Sequence, residues 1–81
     1  MDITWVDRGT VLARVGRWLR KKTLRVSGEA LLAHDPDYLI YAGSITDWED
    51  GTPISDEEKA GVLDRVIVEA GKRGWKFGIE W

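Results

Sequence analysis

The sequence predicts an α+β fold: a small antiparallel β-sheet of three to five strands, packed on one helix at about residues 55–73 and followed by a last strand at 75–81. Three observations carry this. Val62, Leu63, Val66, Ile67 and Ala70 recur at helical spacing and make one apolar stripe. Tyr38-Leu39-Ile40-Tyr41 is apolar on both faces, as a central strand is. From Trp75 to Trp81 every odd position is large and apolar and every even one is polar or Gly, the pattern of a strand with one buried face. No other strong helix occurs, so the stripe has to bury itself against the sheet.

The helix is signalled at both ends. Ser55 followed by Glu58 is a capping box, in which each side chain satisfies a backbone N–H orphaned by the helix start. Asp56, Glu57 and Glu58 place negative charge at the positive end of the dipole. Lys72 and Arg73 complement the other end, and Gly74 is a left-handed stop. Gly61 and Gly71 each weaken the helix by roughly 1 kcal/mol relative to Ala, so it depends on packing.

Upstream, Ile3 to Val6 is a short β-like run, Asp7-Arg8-Gly9 a turn, and Val11 to Val15 a second strand ending at Gly16. Trp18 to Val26 is a third, with Leu24 and Val26 alternating with Thr23 and Arg25. Ser27-Gly28 reads as a turn or bulge, and Glu29 to Ala33 either continues the strand or begins a short helix. His34-Asp35-Pro36-Asp37 is a turn. After Ala42-Gly43-Ser44 breaks the central strand, Glu49-Asp50-Gly51-Thr52-Pro53 forms a loop with strong turn chemistry.

Eighty-one residues make one domain, 1–81, close to the size at which a single core is only marginally sufficient. Five Trp help, since each ring buries a large area for few frozen torsions. The absence of cysteine excludes a disulfide framework and fits a reducing compartment, and with no signal-peptide pattern the expected location is cytoplasmic. No apolar run approaches the roughly 20 residues of a membrane span. Charge is divided unevenly. Arg8, Arg14, Arg17, Arg20, Lys21, Lys22 and Arg25 crowd the first third, and Asp47, Glu49, Asp50, Asp56, Glu57 and Glu58 crowd the loop and first helical turn. A basic end and an acidic end are expected.

Catalytic chemistry finds little support. A hydrolase triad needs a base, and the single histidine, His34, lies in a turn. His34 with Asp35 and Asp37 can be imagined as a metal site, but Asp and Pro belong in turns for backbone reasons alone. Residues 47–58 lack the regular spacing and central Gly of a calcium loop, and the scattered glycines make no phosphate cradle. The expectation is a non-enzyme without metal or cofactor.

Two surfaces have the composition for binding. Trp48 amid Asp47, Glu49 and Asp50, with Glu57 beyond, is either a core plug or an aromatic anchor inside an acidic ring suited to a basic partner. Arg17, Trp18, Arg20, Lys21, Lys22 and Arg25 combine cations with a stacking ring, the chemistry of a nucleic-acid surface. The net charge of −2 argues against that second reading and favours a charged strand edge. A third possibility is oligomerisation, with strand 75–81 pairing across a homodimer if it lies at a sheet edge.

The order of motifs resembles the immunity protein 74 family, small bacterial immunity proteins of polymorphic toxin systems. Arg8-Gly9 comes first, then Leu24-Arg25-Val26-Ser27-Gly28-Glu29. Tyr38-Leu39-Ile40-Tyr41, Ser44-Ile45 and Trp48 follow, then Pro53-Ile54-Ser55, Glu57-Glu58-Lys59 and Lys72-Arg73-Gly74. The similarity spans about residues 8 to 80, and order and spacing carry it more than any one piece. It implies a protein that binds and neutralises a cognate toxin encoded nearby, through a surface rather than a cleft. Because many such toxins attack nucleic acids with basic sites, an acidic patch of Asp47, Trp48, Glu49, Asp50 and Glu57 becomes the expected contact surface.

Overall fold

A computed structural model describes residues 1–16, 21–31 and 37–81. Strands β1 (Asp2–Asp7), β2 (Thr10–Val15), β3 (Lys22–Ala30) and β4 (Tyr38–Tyr41) are followed by a short 3₁₀ turn, Ala42–Ser44. Helix α1 (Asp56–Lys72) and strand β5 (Phe77–Glu80) complete the chain. The sheet has five strands in the order β1-β2-β3-β4-β5. Neighbours pair antiparallel as far as β4, but β5 runs parallel to β4. The sheet is therefore mixed, not the wholly antiparallel one expected. The reason is the crossover: α1 separates two strands that end up adjacent, and a helical connection returns the chain in its original direction.

Alternation decides which face is buried. Ile3, Val11, Ala13, Leu24, Val26, Tyr38, Ile40 and Phe77 share the helix-covered face and are buried. From α1, Val62, Leu63, Val66 and Ala70 meet them, with Ile67 packed alongside. The apolar stripe read from the sequence is thus the one that faces the sheet. Both ends of α1 match their signals. Ser55 Oγ accepts from Glu58 N at 3.1 Å and Glu58 Oε1 accepts from Ser55 N at 3.1 Å. At the other end Gly74 adopts φ +78°, and Trp75 N closes onto Ala70 O at 2.9 Å.

Two further readings are corrected. Ser27-Gly28 is neither turn nor bulge but lies inside β3, which continues to Ala30. Trp81 is 65 % exposed, so the burial expected of every odd position in the last segment stops before it. The third strand begins at Lys22; Trp18 to Arg20 lie outside the described residues, as do His34, Asp35 and Pro36 of the expected turn.

Gly28 is explained by close approach. A side chain there would run into the carbonyl oxygen of Leu39, and its Cβ would lie 2.8 Å from Tyr38 Cζ. The Tyr38 ring lies against the glycine, and its hydroxyl donates to Gly9 O at 2.8 Å, which also accepts from Gly28 N at 2.9 Å. One tyrosine thereby ties the β1–β2 turn to the middle of the sheet. Burial, then the nearby Asp7 carboxylate, pushes the Tyr38 phenol up to about 12.

Candidate partner-binding surface

Strand β4 pairs with β3 only at Gly28–Ala30, which leaves the flank of the first half of β3 open. The chain after the 3₁₀ turn fills that flank. Glu49 N donates to Thr23 O at 2.8 Å, pinning the loop to the strand. The loop is itself a small hairpin: Asp47 bridges to Pro53, Trp48 N donates to Thr52 O at 2.8 Å, and Ile54 N to Thr46 O at 3.1 Å. Its tip turns through Gly51, whose φ of +89° an L side chain would resist. Asp50 Oδ1 accepts from Thr52 N at 2.9 Å and from Thr52 Oγ1 at 2.6 Å, which draws its carboxyl below the usual range.

At the loop, charges that the sequence places at separate basic and acidic ends meet. Arg25 Nε donates to Glu49 Oε2 and Arg25 Nη2 to Glu49 Oε1, both at 3.1 Å, a two-pronged ion pair. This holds the Glu49 carboxyl below its ordinary value and raises the Arg25 guanidinium. Lys22 Nζ lies 5.1 Å from the centre of the Trp48 ring. Two cations of the basic stretch therefore clamp the acidic loop.

Trp48 is 5 % exposed and belongs to the core, beneath the loop rather than on its surface. Its Nε1 is buried with no hydrogen-bond acceptor among the described residues. Lys59, one turn into α1, fixes the other flank, its Nζ donating to Ala42 O at 3.0 Å and Ile45 O at 3.1 Å. Loop and helix start are thus built on one frame. Between the end of β2 and α1 a groove of about 350 Å³, lined by Val15, Gly16, Trp48, Glu57, Glu58, Gly61, Val62 and Arg65, brings Trp48 and Glu57 together.

Of the acidic residues expected to make contacts, Glu49 is spent on Arg25 and Asp50 on Thr52. Asp47 is exposed and takes one hydrogen bond, from Thr46 Oγ1 at 3.1 Å. Glu57 is exposed, with no hydrogen bond or ion pair among the described residues. Of the residues proposed for nucleic acid, Lys21 is exposed, Lys22 and Arg25 serve the loop, and Arg17, Trp18 and Arg20 lie outside the described residues. Sequence reasoning missed Thr52 and Lys59 as loop and helix anchors. The Asp-x-Thr spacing was a usable signal for the first.

No helix among the described residues is long and apolar enough to cross a membrane. The molecule is thus a small α+β domain whose most elaborated surface is a braced acidic loop beside a helix start. The Immunity protein 74 family model matches residues 8–80, and the chain belongs to that family. No curated protein and no solved structure matches it.

Proposed function

We propose that this chain is a non-catalytic immunity protein that binds a cognate toxin in the cytoplasm and neutralises it through the surface formed by loop 46–53 and the first turn of α1. Family membership supports toxin neutralisation as the role. The observation that carries the choice of surface is the bracing of the loop against β3 by Arg25 and Thr23, with Lys59 tying the helix start to the turn that leads into it. A loop held in advance loses little conformational entropy on binding. Asp47 and Glu57 present carboxylates to a basic toxin, while Glu49 and Asp50 hold the loop in shape and Trp48 supports it from below.

Co-expression with the product of the adjacent upstream gene tests the role: suppressed toxicity and co-purification of the two proteins are expected. Toxicity with neither rescue nor a complex removes the pairing. The combined Asp47→Asn and Glu57→Gln change then tests the surface. It leaves every anchor of the loop in place, and unchanged affinity excludes this face. The nucleic-acid reading loses Lys22 and Arg25 to internal contacts, and a salt-dependent shift of a labelled oligonucleotide is not expected.

A further inference from the structure

Strand β5 ends the sheet, paired with β4 on one side and with no strand on the other among the described residues. An open edge is a template for another strand unless something guards it. Here the chain from 75 to 81 reads Trp-Lys-Phe-Gly-Ile-Glu-Trp, which is symmetric in chemical character about Gly78, with the two charges opposite in sign. We propose that two copies of this chain pair antiparallel through β5, joining their five-stranded sheets into one across a two-fold axis at Gly78.

In that register Trp75 faces Trp81 of the second copy, Lys76 faces its Glu80, Phe77 faces its Ile79, and the two Gly78 residues face each other. The Lys76–Glu80 pair thus forms twice, by symmetry. The axis is perpendicular to the sheet, so the faces are preserved. Phe77, in the core, and Ile79, half-buried against it, extend the covered face from one copy to the next. Trp81 is the most exposed large apolar side chain among the described residues, at 65 %. It gains an aromatic partner in Trp75 of the second copy, a ring already stacked on Phe77 with centroids 6.2 Å apart.

The other edge behaves oppositely. The register of β1 breaks between Trp5 and Asp7, an irregularity of the kind that blunts an edge. Strand β1 is guarded by that irregularity, whereas β5 carries no proline and no bulge. This proposal stands independently of which toxin is bound.

Light scattering on the full chain over a rising concentration series is the test, and a concentration-dependent monomer–dimer equilibrium is expected. Glu80→Lys sets lysine against Lys76 at both symmetric positions and should raise the dissociation constant roughly tenfold. Adding Lys76→Glu restores opposite charges and should recover the dimer. Because Lys76 also interacts within its own chain, Trp81→Ala provides a second probe that leaves it untouched, and it should also weaken the dimer. A monomer at every concentration overturns the proposal. So does a dimer whose affinity is unmoved by Glu80→Lys and Trp81→Ala while circular dichroism shows the fold retained.

Discussion

Gly28 and Tyr38 occupy each other's space: a Cβ on the first would lie 2.8 Å from Cζ of the second and 2.9 Å from its hydroxyl oxygen. The tyrosine ring fills the volume that the glycine leaves free. Alanine at 28 therefore displaces a fully buried ring and collides with the Leu39 backbone, and overpacking of this kind costs at least about 2 kcal/mol. Gly28→Ala should lower the free energy of unfolding in urea by that amount. Tyr38→Phe, which keeps the ring and loses its bond to Gly9 O, should cost only about 1 kcal/mol.

Lys59 carries a cation into the angle between α1 and the 3₁₀ turn. Lys59→Met keeps the stem and removes two charge-assisted bonds, those to the Ile45 carbonyl and to the Ala42 carbonyl, which keeps its bond from Ile45 N. A loss of about 1–2 kcal/mol is expected in thermal or urea unfolding. Ser55→Ala, which opens the capping box a turn earlier, should cost about 1 kcal/mol.

The Arg25–Glu49 pair makes a prediction in acid. A carboxyl whose folded pKa lies below its unfolded value contributes stability that is complete above the unfolded value and is lost as pH falls through the folded one. Glu49, Asp50, Glu58 and Glu69 are all held low, each first by a hydrogen bond: from Arg25, Thr52, Ser55 and Lys72 respectively. Stability should decline as the solution is acidified through and below the ordinary carboxylate range. In Arg25→Gln the Glu49 carboxyl should titrate closer to its usual position, a change visible in a carboxyl-detected NMR titration.

In alkali the sign reverses. The chain has two tyrosines, and both are shifted up: Tyr38 to about 12 by burial, Tyr41 by its 2.6 Å bond to Glu29 Oε2. A phenol whose folded pKa is raised stabilises the fold below the unfolded value of 10.0 and loses that contribution as pH rises through the folded one. Phenolate absorbance of the native protein should appear later than that of the urea-unfolded chain. Stability should fall between pH 10.0 and about 12.

Helix α1 was legible because its signals are local: a capping box, an acidic first turn, a periodic stripe and a glycine stop all lie within the segment they define. The direction of β5 was not read, because pairing strand to strand depends on where the crossover returns the chain. Gly28 was misread as a turn because a glycine forced by a ring ten positions away looks the same in sequence as one that bends the backbone. The same limit applies at the candidate surface. Asp47, Glu49, Asp50 and Glu57 declared their charge, but the pairing of Glu49 with Arg25 spans a separation of 24 residues and no periodicity announces it. The burial of Trp48 depends on those contacts and could be framed only as one of two alternatives.

The strand order of the sheet repeats the order of the chain, and this has a kinetic consequence. Strands β1, β2 and β3 meet across short connections, so their registry forms at small loop-closure cost. Strand β5 reaches its place only after the whole stretch from Tyr41 to Phe77 has been traversed and α1 has docked. The sheet is thus expected to assemble from its N-terminal side and to fray from its C-terminal side. Amide hydrogen exchange should show the β2 and β3 protons outlasting those of β5. The last strand to arrive is then the first whose backbone becomes available to another chain.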